Sequence, residues 1–167
     1  MKILVATALV LVGCAPKPEG PEQAQARMDL ESTAARRAID SLNTDFAGHF
    51  NAGHGDLVAA QYTEDGELQV VGLPLLKGRA AIAGSVNELA KMKAAIKTTA
   101  TAVSANGPLA IERGDYTLSL VPPGAPAAVT ETGVYLIHWH RVNGNWLRVS
   151  DVASSAAPLP PPPAAPK

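Results

Sequence analysis

The apolar positions of the chain change their period about halfway along. From Leu30 to Phe50 they recur at helical spacing, as Ala35, Ile39, Leu42, Phe46 and Phe50, and form one stripe. Arg36, Arg37, Asp40 and Asn43 fall largely off it, and Asn51-Ala52-Gly53 reads as a stop. Asp56 can cap a short second helix from Leu57 to Gln61. Glu67 to Val71 reads as a strand. Gly78 to Lys91 suits a third helix, with Ile82, Val86 and Leu89 on one side. The second half turns β. Ala95 to Ser104 is rich in Thr and small residues, and Asn106-Gly107-Pro108 breaks it. Leu109 to Val121 is the next strand, ended by Pro122-Pro123-Gly124, and Val129 to Val142 follows. Asn143-Gly144 is a short-hairpin signal, after which Trp146 to Ala153 returns. Helices first and an antiparallel meander after predict an α+β domain, with helices packed on one face of a curved sheet.

The two ends break this pattern. Behind Met1-Lys2, the run Ile3 to Val12 is apolar except for Thr7. It is too short to span a bilayer, which takes roughly 20 apolar residues, and has the build of a secretory signal. Leu11-Val12-Gly13-Cys14 resembles the lipobox of bacterial lipoproteins. That resemblance implies lipidation of Cys14, cleavage before it and acylation of the new amine. Burial of lipid chains in the bilayer then stabilises the anchor by about 0.8 kcal/mol per CH2. Cys14 is the only cysteine, so no internal disulfide can form. The implied location is the bacterial cell envelope. Ala15, rather than Asp, after the cysteine points to the periplasmic face of the outer membrane over the inner membrane. The expected divisions are a signal peptide (1–13), a flexible Pro-containing tether (14–27), a folded domain (28–155) and a Pro/Ala-rich disordered tail (156–167).

Composition adds exclusions. The hydrophobic share of 47% suffices for one core, and the net charge of −1 has no long run of one sign. Nucleic-acid binding therefore has no electrostatic footprint. No P-loop, dinucleotide fingerprint or zinc-protease motif is present, and no cofactor is expected.

The pieces match a known superfamily in order. Tyr62-Thr63-Glu64-Asp65-Gly66, Gly78-Arg79-Ala80-Ala81-Ile82, Gly114-Asp115-Tyr116 and Gly133-Val134-Tyr135 come first, followed by His138-Trp139-His140-Arg141 and Asn143-Gly144-Asn145-Trp146. Together they resemble the NTF2-like superfamily, in particular its SnoaL-like (DUF4440) branch. The resemblance spans roughly Glu31 to Ser155. It implies a cone of about three N-terminal helices on a strongly curved, mainly antiparallel sheet. It also implies a pocket between helices and sheet, and a possible homodimer through the sheet. A shared fold does not fix chemistry.

Ketosteroid isomerase, a member of that superfamily, supplies a test, since its Asp base and Tyr/Asp oxyanion hole are a worked case of tuned acidity. Carried over by the matched motifs, the tyrosine falls on Phe46, the base on Val70 and the protonated acid on His138. Phe and Val cannot do that chemistry. The resemblance makes the face of Leu136, His138 and His140 the pocket face, with Trp139 opposite as core or dimer contact. Two imidazoles there suit polar-ligand binding or acid-base chemistry. A metal is not expected, because a His-x-His pair falls short of the usual ligand count. Asp151 is a further pocket candidate, whose ordinary role would be pairing with Arg148, Arg141 or Arg113. Tyr62 and Tyr116 are candidate pocket hydroxyls. Two functions remain. One is an envelope-anchored domain that binds a small apolar or amphipathic ligand without catalysis, or serves as an interaction module. The other is an isomerase- or cyclase-type enzyme with non-standard acid and base residues.

Overall fold

A computed structural model describes residues 18–156. The expected signal peptide, Cys14 and tail residues 157–167 lie outside that range. The element order is α1 (Pro21–Asn51), α2 (Gly55–Ala59), β1 (Tyr62–Val70), β2 (Leu76–Lys77), α3 (Arg79–Lys91), β3 (Ala95–Asn106), β4 (Leu109–Leu120), β5 (Val129–Val142) and β6 (Asn145–Ser155). The strands form one sheet in the order β2-β1-β6-β5-β4-β3. Only β1 and β6 run parallel; every other neighbouring pair is antiparallel. This open, mixed sheet with its helices is the α+β arrangement the order of elements predicts, and it fits the cone the resemblance implies.

Three boundaries differ from the sequence reading. The expected tether up to residue 27 is helical from Pro21 onward. Pro21 is compatible with a first helical turn, because its missing N–H would be unpaired there anyway. Glu22, Gln23, Ala24, Gln25, Ala26 and Arg27 are all good helix formers. Arg27 ties this extra length to the domain through Glu31 and Asn106. The second helix begins at Gly55, ahead of Asp56, because His54 occupies the cap position. The first strand, expected from Glu67 to Val71, already begins at Tyr62 and ends at Val70. There Arg79 donates to the Tyr62 carbonyl and pairs with Glu64. The short β2 has no counterpart in the sequence pattern.

The first helix lies along the sheet and closes its β3 edge. Asn51 bonds both the N–H and the C=O of Ile96, and Ser32 does the same for Ala105. An edge strand covered this way offers fewer free groups to a stray chain. Two apolar clusters result. One gathers Ile39, Ile137, Trp139 and Trp146 between α1 and the sheet centre. The other gathers Phe46, Phe50, Val58, Ile82 and Val86 between the helices and β1.

A candidate ligand-binding cavity

A cavity of about 480 Å³ opens between α1, α3 and the concave face of the sheet. Its walls are mostly apolar: Phe46 and Phe50 from α1, Leu68 and Val70 from β1, Leu89 from α3, Ile96 from β3. Its base is polar. Tyr62 Oη donates to Asp151 Oδ2 at 2.9 Å, and Arg148 Nη1 donates to the same oxygen at 2.9 Å. Arg148 Nη2 donates to Asn43 Oδ1 at 2.8 Å, and Asn43 Nδ2 donates to Glu112 Oε1 at 2.6 Å. Tyr135 Oη and Trp139 Nε1 complete the chain with bonds to Glu112 of 2.7 and 2.9 Å. All seven of these residues, Asn43, Tyr62, Glu112, Tyr135, Trp139, Arg148 and Asp151, are buried, so each depends on the others for the partners that water would supply.

Arg148 is the hub. Its guanidinium stacks on Phe46, 4.1 Å from the ring centroid, with Trp139 at 4.9 Å and Tyr62 at 5.8 Å. Such faces attract a cation electrostatically. Burial works against its charge, but the surrounding Tyr62, Asp151 and Glu112 outweigh burial and raise its pKa. Burial, with the Asp151 charge beside it, pushes the Tyr62 hydroxyl well above its ordinary range. Tyr135 is pushed up by burial and Glu112, and Tyr116 by burial and Glu131. All three phenols keep their protons.

Two glycine–tyrosine pairs shape the floor. Gly114 lies opposite Tyr135 and Gly133 opposite Tyr116 across the β4–β5 ladder. A Cβ on Gly114 would collide with the Tyr135 ring and the Thr99 carbonyl. On Gly133 it would meet the Tyr116 ring and the Ser154 carbonyl. Each tyrosine therefore lies over its cross-strand glycine, and each glycine is required by close approach. At the cavity's outer end Tyr116 Oη donates to Glu131 Oε1.

Of the candidate residues, Phe46, Tyr62, Val70, Tyr116 and Asp151 line this cavity. Leu136, His138 and His140 do not. On β5 the buried residues are Tyr135, Ile137 and Trp139, so the inner face has the opposite parity to the one the resemblance implied. The position carried over to His138 is thus one residue out of step with the wall. A one-residue slip reverses every side chain on a strand. His138 and His140 sit on the outer face, 4.6 Å apart between ring centroids, near Ile111 and Leu136. Partial burial and the neighbouring His140 lower the pKa of His138. Trp139 is core and fully buried. No cluster of three or more His, Cys, Asp or Glu among the described residues could hold a metal.

Asn43, Glu112 and Arg148 escaped the sequence reading as site residues. Contrary to the sequence reading that set it largely off the stripe, Asn43, four residues after Ile39 and three before Phe46, is buried on it, where a polar residue is a signal. Glu112 shares strand parity with Ala110 and Tyr116. Arg148 and Asp151 are three apart and would point to opposite faces of a regular strand. In β6, Arg148 pairs with Trp139 and Ser150 with His138, which leaves Val149 as an extra residue. That bulge turns both charged side chains inward.

These features define an α+β domain with a buried ion pair at the base of an apolar cavity. The SnoaL-like domain pattern matches residues 31–150, and the chain belongs to that family. No protein of curated function matches the chain. Among solved structures it resembles an NTF2-like protein with a cystatin-like fold from Novosphingobium aromaticivorans. The identity is 23%, covering 84% of this chain and 93% of that one, with a TM-score of 0.66. It also resembles a ketosteroid isomerase-like protein from Erwinia carotovora. There the identity is 17%, covering 73% of this chain and 96% of that one, with a TM-score of 0.64. At such identities the likeness concerns the fold.

Proposed function

We propose that this domain binds a small amphipathic molecule without transforming it, with the apolar body in the cavity and the polar head at Asp151. The observation that carries this reading is the cavity itself, apolar along its walls and polar at its base. Concave, mostly apolar spaces with a few convergent polar groups are the usual form of small-molecule sites. The histidines that would transfer protons near neutral pH lie on the outer face, and the three cavity phenols are all pushed further from neutrality. That favours binding over acid-base turnover. The alternative reading is an isomerase- or cyclase-type enzyme with Asp151 as proton acceptor. It is favoured by one detail: Tyr62 and Arg148 hold a single oxygen of Asp151 and leave the other outside the network.

The test uses N-phenylnaphthylamine, whose fluorescence rises in apolar surroundings, added to the full chain. Enhancement is expected with the wild type and not with Leu89→Trp, which fills the cavity from α3. Equal enhancement by a Leu89→Trp protein that melts like the wild type would place the probe elsewhere and remove the basis of the reading.

The same proposal holds the domain at the cell envelope by lipid on Cys14, as the Leu-Val-Gly-Cys run supports. Cys14→Ser is expected to lose all label from radioactive palmitate fed to the expressing bacterium. A label that persists in the variant would reject the anchor.

A further inference from the structure

Donors and acceptors are unequally available inside the cavity. Three charged residues line it among the described residues: Arg148, Asp151 and Glu131. The side chain of Arg148 is only 2% exposed. It lies against the Phe46 and Trp139 rings, its two terminal nitrogens donate to Asp151 and Asn43, and its Nε, which has no hydrogen-bond partner, is buried out of a ligand's reach. An incoming anion finds almost no open guanidinium surface. Asp151 keeps more surface, 8%, and its Oδ1 takes part in none of the network's bonds. The phenols repeat this bias. Tyr62 donates to Asp151, Tyr135 to Glu112 and Tyr116 to Glu131, so each offers a ligand only its oxygen lone pairs. The hydroxyls of Ser85 and Thr98 accept or donate and so discriminate nothing.

We infer that the cavity selects amphiphiles whose head donates hydrogen bonds, a hydroxyl or an ammonium group seated against Asp151, and rejects carboxylates and other anions. The inference rests on the cavity being a ligand site. A donor head gives the uncommitted carboxylate oxygen the partner it loses when water is expelled. An anionic head would instead face Asp151, or Glu131 at the outer end, with no free cation to balance it. Like charges brought together in a water-poor space repel strongly.

Calorimetric titration of the full chain with decylamine, decanol and decanoate tests this. The three share one tail and are used below their micelle thresholds. Decylamine and decanol are expected to bind roughly tenfold or more tightly than decanoate, a margin of about 1.4 kcal/mol. In Asp151→Asn the gap between amine and carboxylate should shrink sharply. Decanoate binding to the wild type as tightly as decylamine would overturn the inference while leaving the cavity a ligand site. Failure of all three to bind, with N-phenylnaphthylamine also unbound, would overturn the cavity reading and this inference together. The wild-type series decides the matter even if Asp151→Asn folds poorly.

Discussion

Arg148→Met is expected to destabilise the domain by about 3–5 kcal/mol, the range for breaking a buried ion pair from one side. Methionine keeps much of the apolar stem but removes the guanidinium that stacks on Phe46 and Trp139 and every hydrogen bond it makes. Asp151 loses one of its two donors, and the Asn43 carbonyl loses its partner. Asp151 and Glu112 then stay buried without their cation. The figure is large against the roughly 5–15 kcal/mol that separates folded from unfolded domains. Urea melts of the wild type and variant measure it. Arg148→Met combined with Asp151→Leu should recover a substantial part of the loss, since replacing a whole buried pair with apolar groups is often tolerated. A single-variant loss below about 1 kcal/mol would mean that the network contributes little to stability.

Gly114→Ala is the second large effect. The added methyl meets the Tyr135 ring on one side and the Thr99 carbonyl on the other. Thr99 is backbone in the adjacent strand β3 and cannot step aside without disturbing the ladder. The tyrosine must move, which costs about 1–3 kcal/mol for overpacking. Its hydroxyl then leaves Glu112, and an unsatisfied buried group costs about 1–3 kcal/mol more. The combined loss, roughly 2–6 kcal/mol, should appear as a lower melting temperature together with weaker N-phenylnaphthylamine binding, because Tyr135 also lines the cavity. Gly84→Ala is the control. Nothing lies within 4 Å of its added carbon, and Gly84 is inside α3, so it should stabilise by up to about 1 kcal/mol. Equal melting temperatures for Gly114→Ala and the wild type would show that the glycine–tyrosine contact is not required.

Much of the fold was legible because its signals are local. The helix stripe, the Gly78 start of α3, and the turns at Asn106-Gly107 and Asn143-Gly144 depend on neighbours a few residues away. Gly107 and Gly144 indeed adopt positive φ, of 60° and 87°, as tight turns require. The strand β5 runs over Val129–Val142 as the pattern predicts. The N-terminal helix was underestimated because three prolines near the start, Pro16, Pro18 and Pro21, suggest a tether. Pro21 lies in the helix, at a position that tolerates it.

The site was legible in part. Tyr62, Tyr116, Asp151, Phe46 and Val70 could be placed by motif and order. The face of β5 could not, because both of its faces carry apolar side chains: Val134 and Leu136 outside, Tyr135 and Ile137 inside. Alternation alone therefore does not say which face is the interior. The resemblance assigned the face of His138 and His140 to the pocket, and the pattern of the strand itself offers nothing to correct that assignment.

The sequence by itself determined the class of fold, the order of its elements and the residue types available for a polar base in an apolar shell. It did so because helix and strand periods, caps and turns are properties of short segments. Only the tertiary structure decided which face of β5 is inside and that Asn43, Glu112 and Arg148 join one network. Those outcomes depend on the register between strands and on the single extra residue, Val149, in β6. The bulge brings Arg148 and Asp151 to the same side, and no periodicity within the strand announces it.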